Sequence, residues 1–236
     1  MQIAWVFPGQ GSQKLGMAKE VITLEDAKTR FDYASNVFGK DLLKICEEDS
    51  EKSNDNDLNN TKNTQICLFL VESILLDALQ QRGNNPDFVA GHSLGEITAL
   101  YAAKVISFES CVSLIRIRSE LMSKAPTGSM AALIGFDRNI LENLVKNKDD
   151  IFIANDNSAS QVVLSGNKDT LEEISKEIKC KRFIHLNVSG AFHSRYMNEP
   201  SEKFSEYLDS VNFSEPLIPV ISNADPSFSK DSIQLK

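Results

Sequence analysis

Residues 87–103, DFVAGHSLGEITALYAA, constrain the fold more than any other stretch. An apolar strand-like run, an abrupt turn with glycine at 91 and 95, and a helical run follow one another with no space for a loop. QIAWVFPG (2–9) is a second short apolar run, stopped by Pro8-Gly9, as expected of a buried parallel strand feeding a loop. Helical spacing predicts a long helix over about 64–82, with Gly83 as its C-terminal stop, and another over SFESCVSLIRIRSELM (107–122), ending before Pro126 and Gly128. Strands alternating with helices imply an α/β layer built on a parallel sheet.

From about Ser129 the rhythm changes. AALIG, RNILENLVK, IFIAN, QVVLS, DTLEEISKEI and RFIHLNV read as strand, helix, strand, strand, helix, strand. That order is the ferredoxin-like split motif, βαββαβ. A small domain is therefore expected at 128–190, inserted into a larger one made of 1–127 and 191–236. The larger one resumes with a helix near 194–211 and a strand at 217–222.

Bulk properties narrow the classes. The chain has 236 residues, 42% hydrophobic and 25% charged, the balance of a soluble globular protein. No apolar run approaches the ~20 residues of a membrane span, and residues 1–8 enter as a strand without a charged leader, so a cytoplasmic protein is expected. Cys46, Cys67, Cys111 and Cys180 lie far apart with no C-x-x-C pair, which suggests buried free thiols and no metal site. A net charge of −8 argues against nucleic acid as a partner, because phosphate binding needs a basic face. Six acids against Lys52 in EEDSEKSNDND (47–57) mark a solvated surface loop.

Gly91-His92-Ser93-Leu94-Gly95 is G-x-S-x-G in the strand-turn-helix context that a nucleophile elbow requires. The competing reading is a purely structural glycine turn. A serine hydroxyl is a weak nucleophile at neutral pH and needs a base, and the chain has three histidines. His92 is adjacent to Ser93 and projects differently across the turn. His185 lies within the last strand of the insert, as a core or surface residue. Position favours His193, in SGAFHSRYM, over the alternative of a structural histidine at a helix start.

In the helix containing CVSLIRIRSELM, Cys111, Ile115, Arg118 and Met122 share one face, so Arg118 sits on an apolar stripe. Arg116 is rotated by about 200° and is free to be solvated. A guanidinium among apolar groups needs an anion: either a ligand carboxylate or an internal protein acid.

FPGQGSQ (7–13), GHSLGE (91–96), the arginine of RIRSELM, QVVLSG (161–166) and GAFHS (190–194) occur in order and well spaced. Through them the whole chain resembles the malonyl-CoA:acyl-carrier-protein transacylases, including the acyltransferase domains of fatty acid and polyketide synthases. The resemblance implies an α/β-hydrolase-like domain carrying the ferredoxin-like insert. It implies Ser93 as the acylated nucleophile, His193 as its base, the backbone N–H groups of Gln10 and Leu94 as an oxyanion hole, and Arg118 as the clamp on the malonyl carboxylate. Phe192 resembles the malonyl-selecting form of its motif. The implied partners are malonyl-CoA and holo acyl carrier protein in fatty acid biosynthesis, with no cofactor, no metal, no membrane and a monomeric enzyme. Lys176, Lys179, Lys181 and Arg182 are candidates for a carrier dock, or simply a solvated helix end.

Members of that family continue past the point equivalent to Lys236, through a Gln-containing segment whose carbonyl holds the catalytic histidine's other nitrogen. A C-terminally truncated member is thus expected. Two other functions compete: a serine thioesterase or esterase using water as acceptor, and an inactive fragment that binds ligand without turnover.

Overall fold

The computed structural model describes residues 2–49, 55–188 and 190–236. In chain order the elements are β1 (Ala4–Phe7), α1 (Ala27–Phe38), α2 (Leu42–Glu47), α3 (Thr61–Gln81), β2 (Phe88–Gly91), α4 (Gly95–Ala102) and α5 (Phe108–Ser123). There follow β3 (Ser129–Phe136), α6 (Arg138–Lys146), β4 (Ile151–Ser158), β5 (Gln161–Gly166), α7 (Lys168–Glu177) and β6 (Cys180–His185). A 3₁₀ turn at Arg195–Met197 leads into α8 (Asn198–Leu208), β7 (Val220–Ile221) and α9 (Ser232–Leu235). The chain forms two compact units, residues 1–119 with 206–236, and residues 120–205.

The first unit holds a parallel sheet in the order β1-β2-β7. Its core is helical as much as strand: Ile66, Phe69 and Leu70 of α3, Val89 of β2 and Ile115 of α5 are all 0% exposed. α3 begins unusually, because its first turn is both polar and buried, with Asn63, Thr64 and Gln65 inaccessible to solvent. Burying such groups costs energy unless each finds a partner. Asn60 caps the helix by accepting from the Lys62 N–H, Asn63 donates to the Asp55 and Asp57 carbonyls, and Thr64 donates to the Leu58 carbonyl at 2.6 Å.

β1 departs from the sequence expectation of a buried strand. Among the described residues it pairs with β2 on one side only, and Val6 is 69% exposed while Phe7 alone in the strand is buried. A groove of about 510 Å³ runs beside it, lined by β1 and the Leu68–Leu79 face of α3, with Glu72 among the apolar side chains. The expected strand at 217–222 is likewise reduced to Val220–Ile221, an edge with Leu217 exposed. An edge position leaves β1 without a second ladder and largely solvated, whereas β7, though short, keeps Val220 buried and bridged to Ser229 on its outer side.

The second unit is an antiparallel sheet in the order β4-β5-β3-β6, which is the ferredoxin-like arrangement of βαββαβ. α6 and α7 start at side-chain caps: Asp137 accepts from the Ile140 N–H, and Asn167 from the Asp169 and Thr170 N–H groups. Their apolar stripes, Leu141, Leu171 and Ile174, close over Ala131, Leu133, Val162 and Leu164 on one face of the sheet. On the alternate strand positions Met130, Ala132 and Val163 gather around Phe192.

Three smaller expectations change. In the acidic stretch, residues 50–54 lie outside the described ones; Glu48, Asp49, Asp55 and Asn56 are exposed as expected, but Glu47 ends α2 and Asp57 is buried, accepting from the Asn59 N–H. Cys46, Cys67 and Cys111 are buried free thiols, but Cys180, at an outer strand, is only half-buried. The helix near 194–211 breaks into the 3₁₀ turn and the shorter α8. Among the described residues no helix is long and apolar enough to cross a membrane, and no cluster of His, Cys, Asp and Glu is suited to a metal ion.

Candidate active site

The three parallel strands of the first unit all deliver loops from their carboxyl ends, the edge at which ligands bind in open α/β sheets. β1 gives Pro8–Gln10, β2 gives His92–Leu94, and β7 gives Ser222-Asn223.

The turn after β2 is fixed by close backbone approach. A side-chain carbon on Gly91 would lie 2.0 Å from the Gly95 carbonyl, and one on Gly95 would lie 2.2 Å from the Phe7 oxygen. Gly9 is tied to the same turn, since a Cβ there would meet the His92 oxygen at 2.6 Å. Those contacts leave Ser93 at φ 53°, in the left-handed region. This conformation is costly for a residue with a side chain, and it concentrates at functional sites. Ser93 precedes α4, whose first-turn N–H groups lend positive potential to the site.

Arg118 reaches this hydroxyl from α5. Its Nη2 donates to Ser93 Oγ at 3.0 Å and its Nη1 to Gln65 Oε1 at 2.6 Å. Among the described residues no carboxylate forms an ion pair with it, so the internal salt bridge weighed above is not made. The residue retains some solvent contact, yet burial of the guanidinium lowers its pKa to about 10, against the opposing field of Glu96. It therefore stays charged at neutral pH, held by neutral partners. Arg116 points to solvent, as its rotation around the helix predicts.

The Arg118 contact extends inward. Gln65 donates to Thr61 Oγ1, and Thr61 and the Gln10 side chain are hydrogen-bonded, at 2.9–3.1 Å. The buried polar turn of α3 thus connects the loop after β1 to the arginine. Among the described residues neither the Gln10 nor the Leu94 backbone N–H has an acceptor.

A third contributor is Asn223. Its Oδ1 accepts from the Ser93 N–H at 3.1 Å, and its Nδ2 donates to the Gly91 carbonyl at 2.9 Å and to Glu96 Oε2 at 2.5 Å. Its own N–H donates to Glu96 Oε1 at 3.2 Å. Sequence reasoning missed Gln65, Glu96 and Asn223. The available signal was position: Asn223 follows an apolar strand at its carboxyl end, and Gln65 is a polar residue at the start of an apolar helix.

The second unit carries His193 and Phe192. Ser194 Oγ donates to the Ala191 carbonyl at 2.6 Å and accepts from the Tyr196 N–H, closing a tight turn. His193 lies in that turn, exposed, at φ 56°. Among the described residues only Asp26, Ser93, Lys104 and His193 combine a side chain with left-handed φ, so half of that set was singled out by the sequence for chemistry. Phe192 is 4% exposed and packs its ring against Gly190. His185 is a surface residue, with Nε2 3.3 Å from Glu172 Oε1. Lys176, Lys179, Lys181 and Arg182 are exposed along α7 and β6.

A family model for the acyl transferase domain matches residues 4–230. A malonyl CoA-acyl carrier protein transacylase of Synechocystis sp. is 42% identical over 236 residues, all of this chain and 79% of the relative. Its crystal structure superimposes with a TM-score of 0.93, covering 100% of this chain and 78% of that one. A malonyl-transacylase solved in complex with its type II PKS acyl-carrier protein is 32% identical, with a TM-score of 0.89 over 100% of this chain and 78% of that one.

Proposed function

The chain belongs to the acyltransferase family that includes the malonyl-CoA:acyl-carrier-protein transacylases, and on that premise we propose that it carries a malonyl group from malonyl-CoA to the phosphopantetheine thiol of a holo acyl carrier protein. Ser93 Oγ attacks the thioester carbonyl. The new C–O bond forms as the hydroxyl proton passes to His193, and the oxyanion takes hydrogen bonds from the Gln10 and Leu94 N–H groups. Collapse breaks the C–S bond, and the departing CoA sulfur receives the proton. The pantetheine thiol then attacks the malonyl ester by the same route in reverse and frees Ser93.

The observation that carries this reading is the Arg118 guanidinium, partly withdrawn from solvent, hydrogen-bonded to Ser93 Oγ, and paired with no acid among the described residues. A fork of N–H donors matches a carboxylate, so an acyl group with a free carboxylate completes the site, whereas acetyl leaves the charge unsatisfied. Phe192 is assigned to exclude an α-methyl branch. We place the transfer in fatty acid biosynthesis, in a cytoplasmic monomer; a polyketide carrier is the competing acceptor, since relatives serve such carriers.

The test is intact mass after malonyl-CoA and then holo carrier protein. The reading expects one malonyl adduct, lost in Ser93→Ala and passed to carrier. Arg118→Ala reduces loading about 10- to 100-fold, the ratio set by ~1.5–3 kcal/mol for a charged hydrogen bond. An adduct released mainly to water would make the chain a thioesterase. A folded chain that takes no malonyl would leave a ligand-binding protein without turnover.

A further inference from the structure

We propose that Asn223 is a positioning residue for Ser93: its amide clamps the turn from both sides and aims the hydroxyl by fixing the backbone that carries it. This rests on the reading of Ser93 as a nucleophile, though not on malonyl as the acyl group.

One side chain engages the residue before the turn, the nucleophile itself and the first turn of the following helix. Asn223 donates to the Gly91 carbonyl at 2.9 Å, accepts from the Ser93 N–H at 3.1 Å, and donates to Glu96 Oε2 at 2.5 Å. The opposite faces of an amide are needed, one accepting and one donating, so neither Asp nor Leu reproduces the set. The Glu96 carboxylate is in turn held at both oxygens by Asn223, through Nδ2 and the main-chain N–H. Ser93 occupies a strained left-handed conformation that persists only where surrounding groups over-determine it. Within the first unit, the glycine contacts supply part of that constraint and Asn223 supplies the direct bond to the Ser93 N–H. Asn223 arrives from the end of β7, 130 residues away, so sheet pairing of β7 with β2 is what delivers it.

Asn223 is an exposed residue, so its loss has little effect on the core. A positioning role therefore separates from a structural one. The experiment measures the rate of Ser93 modification in the parent, Asn223→Ala and Asn223→Asp chains with two reagents: malonyl-CoA, and a fluorophosphonate that reports serine activation irrespective of acyl group. Affinity for malonyl-CoA is measured separately in the Ser93→Ala background. Misplacing a reacting group by about 1 Å costs up to ~100-fold, so Asn223→Ala is expected to slow modification ~10- to 100-fold with both reagents. Malonyl-CoA affinity is expected to change less than about twofold, and Asn223→Asp, which keeps the acceptor but sets a second carboxylate against Glu96 Oε2 and the Gly91 carbonyl, to slow modification at least as much as Asn223→Ala. Rates within about twofold of the parent in both variants would overturn the proposal, as would a loss of affinity that accounts for the whole effect. Fluorophosphonate labelling that depends on Asn223 in a chain that ignores malonyl-CoA would support it and remove the transacylase reading instead. A parent labelled by neither reagent would overturn it too, because there is then no activated hydroxyl to position.

Discussion

Ser93 at φ 53° stores strain that elsewhere in a protein would be selected away. An L-residue in this region costs about 1–2 kcal/mol, whereas glycine is at ease there. The usual order of substitutions should therefore invert: Ser93→Gly should unfold at higher denaturant than Ser93→Ala by ~1 kcal/mol, with both inactive, as chemical denaturation of the pair would reveal. Gln65 makes the second residue-scale prediction. It is wholly buried and supplies the neutral acceptor for Arg118 Nη1, so Gln65→Leu leaves a charged donor without it. Stability should drop by about 1.5–3 kcal/mol, and Ser93 loading should slow because the guanidinium is no longer held in line. These two residues also mark how far the sequence could be read. Ser93 and Arg118 stand in local patterns, a tight turn and a helix face, that announce themselves within a few residues. Gln65 and Asn223 act on partners 53 and 130 positions away, and a partnership at that distance is created by packing alone.

At the scale of elements, α3 and α4 meet across a group that prefers to be neutral. Glu72 accepts from Thr98 Oγ1 at 2.5 Å, its other oxygen is buried with no partner among the described residues, and burial raises its pKa to about 7. With the folded pKa above the ordinary 4.5, the native state binds the proton more tightly than the unfolded chain does. Below pH ~4.5 the group is protonated in both states and has no effect; stability then falls as pH rises toward 7, by about 3 kcal/mol in all. Glu72→Gln should thus raise the unfolding midpoint at pH 8 and hardly alter it at pH 4.5, a comparison for thermal melts in two buffers. The ferredoxin-like element order was legible because its strands and helices carry their own apolar periods and both helices, α6 and α7, their own caps. β1 and β7 were harder. Their apolar runs promise burial, but burial depends on what lies on either side, and both are edge strands.

For the molecule as a whole, a net charge of −8 is combined with exposed apolar side chains, Val6, Leu217 and Ile233 among them. Among the described residues β1 has a strand partner on one side only, and its other side lies beside exposed Val6 and an apolar groove. Like charge keeps copies apart at low ionic strength, but its reach shrinks to about 10 Å at 0.1 M salt. Light scattering of concentrated protein should accordingly grow with added salt, and Val6→Lys, which places a charge on the open strand as natural sheet edges do, should suppress that growth. If Val6→Lys scatters as the parent does, the adhesion lies elsewhere. The practical consequence reaches beyond the test tube: a catalyst with an open sheet edge has a ceiling on the concentration at which it stays dispersed. If scattering grows with salt as expected, its shelf life is set by crowding and salt as well as by heat.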